Sequence, residues 1–342
     1  MINTNDYEII HYVSKKIKIF SRKKTIYVHD GVSKIKIKLP FTFFDIFISS
    51  RILRRFFRLD KCNVFLINTN PLHLIIIRWG KVYMYNKEVG LVETLILRNC
   101  RNIMHVDLCK LPNGDLCFGE YGSNNGRKSV PIYKSKDNGL TWDVVFEFFE
   151  NSIKHIHIVK YDAFSDTIWC CTGDNDGENK IVLFDNNFNL LEIIGDGSQL
   201  YRACDLFFTE EKVIWLMDSP NEKSFVISFD RRLKAVSKGQ ELVGPVWYST
   251  QLRKDLFLAA TSVEPGYSIE HNTVQLLVST NLVNWKTLIS FKKDIFPIDY
   301  FKYGVIAFPM GEQDLKSVYF FGEALTNLEG VINEIDLSRY VQ

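Results

Sequence analysis

The sequence is short of features that would mark several classes of protein. It has 9 prolines in 342 residues, and its 7 cysteines include no Cys-x-x-Cys pair. An odd number of thiols without paired spacing fits reduced cysteines rather than a disulfide framework. No run of about 18 apolar residues occurs, so no segment reads as a membrane-spanning helix. Charge of one sign is missing too. Lys+Arg 42 against Asp+Glu 40 leave +2, and no basic field for nucleic acid results. The opening residues Met1–Tyr7 lack the charged head, apolar middle and small-residue cleavage site of a signal peptide, and the expected compartment is the cytoplasm. There is no phosphate loop, dinucleotide fingerprint, His-Glu-x-x-His or nucleophile elbow, and no cofactor or metal is expected.

What is present in quantity is aromatic and β-branched residues. Aromatics make up 14% of the chain, and runs of four to eight residues such as Thr25–His29, Lys81–Tyr85, Val130–Lys134 and Thr273–Val278 recur between Asn, Asp and Gly clusters. Such runs predict antiparallel strands, and the lack of alternating helices excludes a parallel α/β sheet. The turns are periodic. Asn86, Asp137, Asp185, Asp230, Asn281 and Asn327, each closing the third strand of a group, are separated by 51, 48, 45, 51 and 46 residues. A period of about 40–50 residues with four strands per unit predicts a β-propeller. Six groups follow Cys62, and the first forty residues hold four more candidate strands with Asp30 in the matching turn. The expectation is therefore a single all-β propeller spanning 1–342, of seven blades, with six blades and an N-terminal hairpin pair as the alternative.

One turn is more specific than the rest. Ser135-Lys-Asp137-Asn-Gly139-Leu-Thr141-Trp142 matches S-x-D-x-G-x-T-W, and Ser279-Thr-Asn281-Leu-Val-Asn-Trp285 is a shortened copy without the Gly. This resembles the Asp-box, or BNR repeat, of the sialidase-like propeller superfamily. The physics suits a hairpin: Asp ties down turn amides, Gly supplies a positive φ and Trp packs between blades.

In a propeller the connections from second to third strand share a face with those that enter the next blade. Here the second-to-third connections are long and polar, and each opens on an acid. Glu120, Asp174, Asp218, Glu264 and Glu312 are separated by 54, 44, 46 and 48 residues, in step with the turns. They predict a ring of carboxyls; the plainer reading is that loop starts favour solvated acids. The entering segments bring Arg101, His105, the pair His155 and His157, Arg202, Trp247 and Tyr248 to the same rim. Strand alternation puts both histidines of His155-Ile-His157 on one side, as a metal half-site with no third ligand fixed by spacing or as hydrogen-bonded packing residues. Arg101, Arg127 and Arg202 could hold a sugar carboxylate bidentately, or pair with rim acids.

The resemblance implies a carbohydrate-active protein, with a glycoside hydrolase of bacterial surface polysaccharide or lipid-linked glycan expected first. By residue type and loop position it implies Arg202 on the substrate carboxylate, Tyr248 as nucleophile activated by Glu264, and Asp174 as acid/base. Glu120 and Asp218 are further candidates for the carboxyl pair a glycosidase needs about 5–10 Å apart. Elimination from a uronate through His105, His155 or Tyr248 is the alternative chemistry, with the glycan stacked on Trp247 and Tyr121. A non-catalytic glycan- or protein-binding propeller is the third reading. The expected partner is a glycan or acidic saccharide.

The period is interrupted once, by Phe41–Arg58, where a helical insertion over 41–59 is predicted. Arg51, Arg54, Arg55 and Arg58 fall on one arc, opposite Ile52, Leu53, Phe56 and Phe57. This predicts either an interfacial helix on the inner face of an anionic membrane or a cap that buries its Phe residues against a blade.

Overall fold

A computed structural model describes residues 4–57, 59, 61–266 and 272–340, with the backbone alone at Arg51. Among these residues the chain forms seven antiparallel sheets, six of four strands and one of three, each joined in sequence order. The protein is a seven-bladed β-propeller. The N-terminal group Ile9–Val13, Lys18–Arg22, Thr25–His29 and Lys34–Lys38 is a complete blade of its own, which settles the count at seven.

The contacts divide the chain into two compact units. One comprises Met1–Val64 and Val246–Gln342, the other Phe65–Pro245. The first unit holds the first, sixth and seventh blades; the second holds the second to fifth, apart from the first two residues of Asn63–Thr69. Within a blade, burial follows strand position. The sixth blade's second strand, Leu256–Thr261, is buried at every residue, whereas its fourth, Lys286–Lys292, is mostly exposed. A continuous apolar run is what a strand covered on both faces requires, and the Lys, Thr and Ser of Lys286–Lys292 suit an outer edge. In the second unit, Ile156, Val159, Cys170 and Phe184 of the fourth blade pack with Cys117 and Ile132 of the third. Trp169 and Ile181 pack on the other side with Trp215 and Phe229 of the fifth. All seven cysteines are buried free thiols.

Asn86, Asp137, Asp185, Asp230 and Asn281 lie at the end of a third strand or between it and the fourth, as the spacing predicts, and Asn327 lies between the second and third strands of the three-stranded sheet. In Ser135–Trp142, Asp137 accepts from the Thr141 amide (2.9 Å) and hydroxyl (2.6 Å), and Ser135 Oγ accepts from the Gly139 amide (2.7 Å). Gly139 has φ +90°, a conformation that calls for glycine, and a Cβ there would displace the Ile75 Cδ1 methyl 2.2 Å away. In the shortened copy, Leu282 takes the left-handed conformation at φ +61°, while Asn281 still accepts from the Val283 and Asn284 amides.

The insertion departs from expectation. It is a 3-10 turn, Phe43–Phe47, followed by a two-turn helix, α1 (Arg51–Phe57), rather than one helix over 41–59. Arg54 and Arg55 face inward. Arg55 is 1% exposed between Asp294 (2.5 Å) and Glu329 (3.6 Å), and Arg54 pairs with Glu8 at 2.6 Å. Ile52 and Phe56 are exposed instead, along with Phe41 and Phe43. Arg58 and the Arg51 side chain lie outside the described residues. No helix among the described residues is long and apolar enough to cross a membrane.

Candidate functional site

The richest cluster of ionisable groups in the second unit centres on Asp174, at the start of the connection between Thr167–Gly173 and Asn179–Phe184. Opposite it, His155 opens the fourth blade's first strand, His155–Asp162, directly after Lys154. Pairing in this strand slips between Ile156 and Ile158, leaving His157 as the bulged residue. Both rings nevertheless lie on one side, 4.9 Å apart, as the alternation predicts. Gly173 makes room: a Cβ there would sit 2.6 Å from His157 Cε1.

Asp174 is met by four side chains. Lys154 Nζ donates to Oδ2 at 2.5 Å, while Oδ1 lies 3.2 Å from His155 Nε2, 3.0 Å from His157 Nε2 and 3.1 Å from an Arg202 terminal nitrogen. Burial opposes ionisation of Asp174, but His155, His157 and Arg202 outweigh it and hold the carboxyl well below the usual carboxylate range. Burial pushes His155 below the ordinary imidazole value, with Asp174 pulling the other way. The other nitrogen of each ring is anchored on backbone, His155 Nδ1 on Gly122 O (2.6 Å) and His157 Nδ1 on Ala203 O (3.0 Å). Arg202 Nε also donates to Asp218 Oδ2 at 3.1 Å, and the Cys204 thiol, kept protonated by burial, donates to the same oxygen. The Asp174 carbonyl accepts from Gln199 and Arg202, which fixes the loop.

Tyr121 lies with its ring 4.3 Å from that of His155. Arg127 binds Glu178 at 2.8 Å, and Glu178 in turn accepts from the Lys154 amide at 3.1 Å, so the two loops are joined. Lys154 and Arg127 remain 28% and 30% exposed, and Asp174 17%. The sequence-predicted residues His155, His157, Asp174, Arg202, Asp218, Tyr121 and Arg127 are thus brought together. Lys154 and Cys204, not singled out as site residues beforehand, belong with them; the position of Lys154 directly before the His-x-His pair was the available signal.

The remaining candidates are placed otherwise. Glu120 is buried and serves as a loop anchor, accepting from the Arg98 amide (2.6 Å), the Asn99 amide (2.8 Å) and the Tyr133 hydroxyl (2.9 Å). Arg101 lies over the Trp79 ring at 4.8 Å. His105 is buried ahead of the third blade's first strand, Cys109–Lys110. In the first unit, Glu264 accepts from Trp247 Nε1 (2.9 Å) and Ser262 Oγ (3.0 Å), and Tyr248 is buried in Val246–Arg253. Donor atoms of His155, His157 and Asp174 lie within 4.8 Å of one another, as do those of His157, Cys204 and Asp218.

The fold and this cluster define a propeller with a charged, partly open site at its blade connections. No family model matches the chain, and no curated protein matches it either. Solved structures do. The chain is similar to virginiamycin B lyase from Staphylococcus aureus at 11% identity, with 95% of this chain and 92% of that one covered and a TM-score of 0.58. It is similar to a chain of the mitotic checkpoint complex at 9% identity, covering 98% and 91%, with a TM-score of 0.53. The extracellular domain of a one-component system from B. thetaiotaomicron matches at 10% identity over 96% of this chain and 38% of that one, with a TM-score of 0.54. At these identities the likeness is one of fold.

Proposed function

We propose that this propeller recognises an acidic saccharide at the surface formed by Tyr121, Lys154, Asp174 and Arg127. The observation that carries the reading is the aromatic ring of Tyr121 against His155, beside two cations that keep more than a quarter of their surface in solvent. A sugar ring stacks on such a platform, and partly exposed ammonium and guanidinium groups suit its carboxylate. The likeness of Ser135–Trp142 to the Asp-box supports kinship with the sialidase-like propellers. That motif is a turn and carries no reacting group.

Recognition is better supported than hydrolysis. A glycosidase needs one carboxyl that holds a proton for the leaving group. Asp174 is kept ionised, and Glu120, Asp218 and Glu264 each receive internal donors. Elimination is the second reading, favoured by one feature: an imidazole kept neutral by burial, His155, lies against a tyrosine.

The test is calorimetric titration with a panel of acidic and neutral bacterial polysaccharides, with Tyr121→Ala and Lys154→Met alongside. Acidic glycans should bind at least tenfold more tightly than neutral ones, and each variant should lose most of that preference. Equal binding of both classes would end the reading. The ultraviolet absorbance of an unsaturated uronate would add elimination, and new reducing ends without it would restore hydrolysis.

A further inference from the structure

We propose that His155, His157 and Asp174 form a binding site for a first-row divalent transition-metal ion. The hydrogen-bond inventory leads there. A backbone carbonyl only accepts, so the rings that face Gly122 O and Ala203 O through Nδ1 carry their protons on that nitrogen. With its proton on Nδ1, an imidazole so anchored has Nε2 available as a metal ligand. Both Nε2 atoms are turned on the same oxygen, Asp174 Oδ1, at 3.2 Å and 3.0 Å. Two imidazole nitrogens and one carboxylate oxygen thus converge within 4.8 Å of one another, an arrangement that a cation between them completes. Anchoring a ring by Nδ1–H on a carbonyl is also how proteins aim a ligating histidine.

The distances suit an ion. Ligand atoms about 2.1 Å from one metal and at about 90–110° to each other lie roughly 3.0–3.4 Å apart. Lys154 sits on the other oxygen, Oδ2, and leaves Oδ1 to the histidines; the Arg202 nitrogen that shares Oδ1 is on a guanidinium already held by Asp218. A second observation comes from the deep side. Asp218 Oδ1 is buried and accepts no hydrogen bond among the described residues, and Asp218 groups with His157 and Cys204 within 4.8 Å. That second triad shares His157 with the first and lies on its deep side, while Asp174 is 17% exposed on the other. Two imidazole nitrogens with carboxylate oxygens select zinc, cobalt, manganese or iron(II) over magnesium and calcium, which prefer all-oxygen shells. The three cations Lys154, Arg127 and Arg202 are balanced by Asp174, Glu178 and Asp218, so a divalent ion would leave the cluster net positive.

The experiment uses the full chain, stripped with chelator and titrated with Co2+ for its visible bands and with Zn2+ by calorimetry, without any saccharide. Its failure is thereby separate from failure of the saccharide reading. One equivalent should bind, with at least tenfold weaker affinity in His155→Ala and in Asp174→Ala. Lys154→Met, which removes a competing cation from Asp174, should bind as tightly as the parent or severalfold tighter. Circular dichroism checks each fold, and His155→Gln replaces any variant that does not fold. Binding well below one equivalent in the parent overturns the proposal, as does unchanged affinity in the histidine variants, which would assign the ion to other surface groups.

Discussion

Two buried charge clusters, one in each unit, make opposite use of the same interactions. Around Asp174 one carboxylate is met by Lys154, His155, His157 and Arg202. Around Arg55 one guanidinium is met by Asp294 and Glu329, with the Phe296 and Phe301 rings 4.5 Å and 6.0 Å from its centre. The Arg55 cluster closes on itself: Lys293 also neutralises Asp294, and the guanidinium is 1% exposed. It fastens the insertion to the seventh blade. The Asp174 cluster stays partly open and turns two ring nitrogens on one oxygen. Burial of charge alone therefore does not mark a site; convergent donor atoms with a path to solvent do.

The comparison is broken most severely at Arg55. Removing one member of a buried ion pair leaves its partners desolvated and uncompensated, which costs about 3–5 kcal/mol. Arg55→Ala should approach the lower end, because Lys293 still holds Asp294 at 2.7 Å. Urea denaturation of parent and variant measures it. A loss below about 1 kcal/mol, the range of an exposed pair, would mean that the helix is not fastened this way.

Asp174→Asn is the counterpart and should cost less, about 1.5–3 kcal/mol, as loss of hydrogen bonds to a charged group. The two clusters also predict opposite pH slopes. Asp174 has a folded-state value below the ordinary one, so its stabilisation is complete above about pH 4 and is lost as pH falls further. Glu329 is raised, chiefly by burial, so its favourable contribution is present below about pH 4 and is lost as pH rises through its folded value. Asp174→Asn should flatten the acid limb of a melting-temperature profile, and Glu329→Gln should gain on the parent between pH 4 and 7. If Asp174→Asn parallels the parent below pH 4, or Glu329→Gln parallels it between pH 4 and 7, the carboxyl concerned is not shifted as described.

How much of this was legible in the sequence follows from the range of the interactions. The Asp and Asn turns are local: Asp137, Asp185, Asp230 and Asn281 each bond amides two to four residues on, so the period of these turns announces the blades. The His155–His157 pair is local too. What spacing could not supply were partners: that Glu120 would anchor Arg98 and Asn99, that Asp174 would complete the histidine pair, or which face of α1 would turn inward. A helical wheel separates Arg55 from Phe56 but cannot say that Asp294 and Glu329 await the arginine more than two hundred residues later. For the same reason, any membrane contact of this segment would rest on Phe43, Ile52 and Phe56 rather than on Arg54 and Arg55.

The smallest expected effect sharpens the contrast most. Lys154 lies 2.5 Å from Asp174 yet remains 28% exposed, so solvent screens the pair and the long side chain loses entropy in forming it. Lys154→Met keeps an aliphatic stem of similar length and should change stability by less than about 1 kcal/mol in urea denaturation. Asp174 retains His155, His157 and Arg202, so its carboxylate is not orphaned by the change. A loss of about 3 kcal/mol instead would place Lys154 in the same class as Arg55. The Asp174 cluster would then be a second fastener rather than a site.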